Sequence, residues 1–350
     1  MIAFHWMFVA LAGGMILFLF TMFITTAQKG ATSSLSTEVI LHFDTIFQNL
    51  ATQSGLEAPI QSHRDVVLEF TCDLQDATLG QVNSRFAMTG GVSKSIDDIP
   101  VFSQNRVSGD VIYTSVSQFG VPFLVSSMIY VTDPNTLYVL EASDANRRHL
   151  ARLLHAQATV VQVPTREFPA VLNVSFAGYR NVVIISADVQ GNRAFMQAEG
   201  QGPVLSIPRG TNVYLYEVAY EGELLNKGTI TGFELKQDRN NQRFVPNADV
   251  DIKYAEPSLL QGVIYSHSIE HARCVAQKVY NKIPKVAFVL AERASILNAS
   301  TNNQRCKLYY NAAYGALTSI ARNYEEYTNL QPELQLHNNR LEAENCALLY

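Results

Sequence analysis

From Ile2 to Gln28 the chain carries no Asp, Glu, Lys or Arg, and His5 is the only side chain there able to take a charge. Few segments constrain a chain more. Wound as a helix, Phe4 to Ala27 would reach roughly 36 Å, enough to cross a hydrocarbon core of about 30 Å. His5 and Trp6 stand at one edge, where amphipathic rings prefer the interface. Thr25, Thr26, Gln28 and Lys29 mark the other. A cleaved secretory signal would want a basic leader and a shorter apolar core. A pilin-like assembly helix would want a basic leader, a processing site and an early glutamate. The stretch supplies none of these, so residues 4–27 read as a permanent single-pass anchor in membrane lipid.

Basic residues do not set the direction of insertion: a terminal amine on one side faces Lys29 on the other. The cysteines carry that argument. There are four, Cys72, Cys274, Cys306 and Cys346, with no CxxC pair. An even number behind an anchor fits two disulfides in an oxidising compartment. Cys306, Tyr310, Ala313, Leu317, Ile320, Tyr324 and Tyr327 repeat at alternating spacings of four and three, a one-sided helical stripe. Asn329 and Pro332 are expected to end that helix. A last helix over about Pro332–Leu348 carries Leu334, Leu341 and Leu348 on one face. Helices joined by a short turn pack antiparallel. Cys306 and Cys346 then lie side by side, and Cys72 pairs with Cys274 by elimination. The competing reading is four buried free thiols.

Composition narrows the rest. The chain has 350 residues, 47% hydrophobic and 16% charged, with a formal net charge of -5. The charged fraction is low and points to a well-buried body. No basic stripe offers an electrostatic footprint for nucleic acid. Leu35–Leu50 has helical apolar period and reads as a stalk over residues 31–60. Residues 61–258 read as a mixed α/β domain. DVIYTSVSQF, FLVSSMIYV, NTLYVLEA, ATVVQVP, NVVIISADV, RAFMQAE, NVYLYEV and TITGFEL read as strands. SDANRRHLARLLH reads as a helix capped by Ser143 or Asp144. The polar stretch 238–251, DRNNQRFVPNADVD, reads as a loop. Residues 259–350 read as a helical region of four helices. The fold class is therefore α+β: a mixed α/β sheet followed by a C-terminal helical bundle, on an N-terminal transmembrane helix.

One motif points to chemistry. His267-Ser268-Ile269-Glu270-His271 has the HxxEH order of inverted zinc peptidases. On a continuous helix His267 and His271 would share a face and hold zinc, with Glu270 as general base and Glu342 or Glu344 as third ligand. Against this stand the anchor, the missing flanking patterns, and the ordinary place of histidines in an exposed first helical turn. The stretch 238–242 lacks the glycine and glutamate of a calcium loop. Gly200-Gln201-Gly202 runs into Pro203, which has no amide for a phosphate. The tyrosines from 309 to 327 read as bundle packing before a binding face. No cofactor is expected.

The anchor FHWMFVALAGG, the stretch VIYTSVSQFGVPFLVSSMIYVTDPNTLYVL, a cysteine-bearing helix after the sheet and the ending ENCALLY resemble uncharacterised single-pass membrane proteins of DPANN archaea. The resemblance implies membrane anchoring and matched cysteines, and no activity. Together these readings favour a membrane-anchored extracytoplasmic protein with a structural or interaction role in the cell envelope, meeting an envelope protein partner. The alternatives are a tethered zinc hydrolase and a pilus-like assembly component.

Overall fold

The protein is described from a computed structural model. It covers residues 40–52, 55–76, 81–88, 93–96, 99–120, 122–164, 178–187, 211–221, 225, 227–238 and 241–350. The anchor expected over 4–27 and the strand expected over 193–199 lie outside these residues.

Helix α1, residues 40–51, places Ile40, Phe43, Phe47 and Leu50 on one face at helical spacing, and all four are buried. That face lies on a six-stranded sheet. Its strands are β1 (Glu57–Asp76), β2 (Gln81–Met88), β3 (Ser93–Ser95), β4 (Val101–Ser103), β5 (Arg106–Phe119) and β6 (Ser126–Thr132), in the order β3-β2-β1-β5-β6-β4. The rings of Phe47 and Phe70 meet at 6.3 Å, and Leu68, Val107, Ile112 and Ile129 join the same core. The amphipathic segment over 40–51 thus packs on the first sheet.

Asp133-Pro134-Asn135 then carries the chain from the first sheet into a second. Its elements are β7 (Thr136–Ala142), α2 (Asp144–Leu153), β8 (Thr159–Pro164), β9 (Asn181–Ser186), β10 (Asn212–Glu221), β11 (Lys227–Asp238) and β12 (Asn241–Tyr254). The order is β12-β11-β10-β9-β7-β8. β8, β7, β9 and β10 are parallel, and β11 and β12 add antiparallel pairs. Val182–Ile185 are fully buried, as an apolar run covered on both faces must be.

Two expectations need correction here. The strands form two sheets, because the turn at 133–135 redirects β7 away from β6. The polar stretch 238–251 is mostly strand β12, paired to β11 from Asp238↔Asn241 to Gly228↔Tyr254. It is an edge strand, and an edge needs one neighbour and tolerates polar residues.

Five helices follow: α3 (Pro257–Ser266), α4 (Ile269–Tyr280), α5 (Ile283–Ser300), α6 (Gln304–Arg322) and α7 (Tyr327–Ala343). Helix α3 is buried from Leu259 to Ser266, without a polar face to show to water. It runs between the two sheets. Tyr265 meets Tyr130 of the first at 5.6 Å and Tyr138 of the second at 5.8 Å. Gly262 is the close approach: a Cβ there would sit 2.7 Å from the Phe102 ring.

In α6, Cys306, Tyr310, Ala313, Leu317 and Ile320 are buried, and in α7 so are Leu334 and Leu341. The stripe is as expected, but the break is not. A 3-10 turn over Tyr324–Glu326, capped by Asn323, divides the helices, and Pro332 lies inside α7. The bundle shares one core with the sheets. Tyr327 packs on Phe119 at 6.1 Å and Phe123 at 5.7 Å.

Glu256, buried just before α3, accepts from the Gly120 amide at 3.0 Å and from the Tyr327 hydroxyl at 3.5 Å. It ties the end of β5 to the bundle. Gly120 has φ +133°, and a Cβ there would lie 2.1 Å from the carbonyl oxygen of Phe123. Gly120→Ala should therefore cost at least about 2 kcal/mol, from strain and from overlap with backbone that cannot move aside. Urea unfolding of the variant checks this; an unchanged midpoint would show that the loop relaxes freely.

Candidate functional site

The motif HSIEH does not lie on one helix. His267 ends α3 in the left-handed region, φ 54°, and Ser268 begins α4 as its N-cap, its side chain accepting from the His271 amide. Serine is a strong N-cap, and its oxygen satisfies an amide that the helix start leaves bare. That local preference breaks the helix one residue after His267. The imidazoles of His267 and His271 therefore do not share a helical face. The continuous helix on which His267, Glu270 and His271 would form a zinc set is therefore not the one observed. Among the described residues no three His, Cys, Asp or Glu side chains gather to hold a metal ion. Glu344 instead accepts from Arg305 at 2.8 Å, at the end of the bundle. Nor are the histidines exposed: both are buried.

All four cysteines are bonded. Cys72 on β1 joins Cys274 on α4, and Cys306 on α6 joins Cys346 beyond α7. The first bond ties a strand of the first sheet to the helix that follows His267. The second staples the helical hairpin, the pairing that its apolar stripe predicts.

The chemically unusual place is a cleft beside His267, about 130 Å³ in volume. Sheet register builds its floor. Parallel pairing puts Thr136 level with Asn181, and Asn181 level with Asn212, so the first residues of β7, β9 and β10 form a row. Gln104, from the turn after β4 in the first sheet, reaches into that row. A chain of hydrogen bonds results. Asn212 Nδ2 donates to Asn181 Oδ1 at 3.1 Å, Asn181 Nδ2 to Gln104 Oε1 at 2.7 Å, Gln104 Nε2 to Thr136 Oγ1 at 2.9 Å, and Thr136 Oγ1 to Asp133 Oδ1 at 3.0 Å. The direction is fixed at one end. A carboxylate only accepts, so Thr136 must donate to Asp133 and accept from an N–H of Gln104; each amide is then oriented in turn. Asp133 also accepts from the amides of Asn135 and Ser108, which compensates its buried charge. Burial still raises its pKa above the ordinary value.

His267 also lines the cleft. Its ring lies 5.1 Å from Tyr214 and 6.3 Å from Tyr138. Neither ring nitrogen has a hydrogen-bond partner among the described residues. Burial pushes its pKa down to about 3, so the ring is neutral at physiological pH. Burial, reinforced by the Lys278 charge, lowers His271 to about 4. Arg106 and Arg180 border the cleft, and Arg180 donates to the Ser108 hydroxyl at 3.0 Å. Comparisons with protein-family models, with curated proteins and with solved structures return no match. The site is therefore defined by its own geometry.

Sequence reading singled out His267, Glu270 and His271 and missed Gln104, Arg106, Asp133, Arg180, Asn181 and Asn212. One signal was present. A polar residue precedes each of three apolar strand runs: Thr136 before LYVL, Asn181 before VVII and Asn212 before VYLY.

Proposed function

We propose that this chain is a membrane-anchored extracytoplasmic protein with a structural or interaction role in the cell envelope, akin to the DPANN single-pass proteins that it resembles. The observation that carries the reading is the pairing of all four cysteines at bonding distance. Disulfides persist in oxidising compartments and are rare in a reducing cytosol. Residues 4–27 supply the anchor. Among the described residues no helix is long and apolar enough to cross a membrane, so the anchoring rests on that segment. An interaction role draws on α5, where Phe288, Val289 and Ile296 are exposed to solvent.

The test is thiol labelling of cells that express the full chain. Lysis under denaturing conditions with a mass-tagging maleimide should add no tag without reductant and four with it. Four tags without prior reduction would place the body in a reducing compartment and sink the proposal.

A further inference from the structure

The cleft beside His267 combines three features that ordinary packing does not leave together. A buried imidazole has both nitrogens bare among the described residues. Two guanidiniums, Arg106 and Arg180, border the cavity, and neither forms an ion pair among the described residues. Among the described residues no carboxylate lines it: Asp133 stands behind the amide chain with its oxygens already engaged. A buried polar group without a partner is costly, so a native structure holding one calls for a water, an ion or a ligand. The volume of about 130 Å³ is far above the roughly 10–15 Å³ that a single water needs.

The lining also states what would fit. Each amide in the chain uses one N–H and keeps a second. Neutral His267 adds no charge to the wall, and both of its ring nitrogens are themselves buried. Guanidinium presents paired N–H groups whose fork matches a carboxylate or a phosphate. A cation would meet two positive charges and no counter-charge. An apolar ligand would strand the amides. Glu69, Asp73 and Glu270 line a wider neighbouring cavity beyond Arg106, of about 440 Å³, so negative charge repels an anion from that side. Glu270 also lines a small pocket of about 70 Å³ beside His267 and Tyr214, so the favoured seat lies towards Arg180 and Asn212.

We propose that this cleft is a binding site for a small oxyanion, a carboxylate or phosphate group, held by Arg180 and Arg106 against the amides of Asn181 and Asn212 and the ring of His267. The assignment does not depend on the compartment proposed above, since such groups occur on both sides of a membrane.

The full chain, in detergent micelles with its disulfides intact and its histidine rings labelled with ¹⁵N, would be titrated with sodium phosphate and with sodium acetate. Sodium chloride at matched ionic strength is the control. His267→Asn identifies the His267 signals, because asparagine tolerates the left-handed backbone there. The expected result is a saturable shift of the His267 ring with phosphate, acetate or both, and none with chloride. Arg180→Gln, at an exposed position where folding should be preserved, should weaken that binding tenfold or more, and Arg106→Gln less. A saturable response to phosphate alone assigns a phosphate group, and one to acetate alone a carboxylate. A response to neither oxyanion, an equal response to chloride, or an affinity within twofold in Arg180→Gln overturns the proposal.

Discussion

Replacing Cys72 and Cys274 together by alanine is expected to lower the free energy of unfolding by about 4–5 kcal/mol. The bond joins residues 202 apart in sequence, against 40 for Cys306–Cys346. A cross-link restricts the unfolded chain more as the loop it closes lengthens; the chain-entropy estimate is about 5 kcal/mol for the long loop and about 4 for the short one. The sites also differ. Cys72–Cys274 clamps α4 onto β1 of the first sheet, and α4 begins at the Ser268 cap that shapes the cleft. Cys306–Cys346 closes a hairpin whose helices already share Tyr310, Leu317, Leu334 and Leu341 in one core. Denaturant unfolding should therefore rank wild type above the Cys306/Cys346 variant and that above the Cys72/Cys274 variant. Under reductant, wild type and variants should converge. Equal stability of oxidised wild type and the Cys72/Cys274 variant would show that the bond contributes nothing.

Mild acid should destabilise the protein steeply. The folded pKa values of His267 and His271 are depressed to about 3 and about 4, against about 6.5 in an unfolded chain. Below pH 6.5 the unfolded state takes up protons that the folded state refuses. Stability therefore rises with pH through this window and falls as pH drops from about 6.5 towards 4. Each histidine contributes up to about 1.4 kcal/mol per pH unit there, so the pair removes about 4–6 kcal/mol by pH 4. That is a large share of the usual stability of a folded domain. The physical cause is the burial of imidazoles that have no acidic partner among the described residues to stabilise their charged form. Lys278 makes protonation of His271 harder still. Unfolding free energies measured from pH 7.5 to pH 4.5 should show the slope, and His267→Asn should remove about half of it. A flat profile in wild type, or an unchanged slope in the variant, would mean that the rings take up protons in the folded state.

Much of the fold was legible because it is local. The stripe from Cys306 to Ile320 and the leucines at 334 and 341 announce their elements by period alone, and the structure keeps them; of the strand expected over 181–189 it keeps Asn181–Ser186. Ser143, one of the two caps that the sequence offers, stands at the N-cap position of α2, but its side chain makes no capping hydrogen bond. What failed was punctuation and pairing. Pro332 looked like a helix stop but sits within α7. Residues 238–251 looked like a loop because their composition is polar, yet β11 recruits most of them as an edge strand. HSIEH looked like one helix because its apolar spacing continues across the break, and only the Ser268 cap gives the break away.

The sequence by itself determined the uncharged apolar run of residues 2–28, the helical and strand periods, and the proximity of Cys306 to Cys346 across a helical hairpin. These depend on residues close along the chain or on one regular geometry. Tertiary structure alone decided that there are two sheets, that α3 runs between them, and that Thr136, Asn181 and Asn212 form a row beneath His267. Those residues come from separate strands, and nothing in their local sequence encodes which registers the strands will adopt. The register is set by burying whole apolar faces, so the polar row at the strand starts is a consequence of core packing.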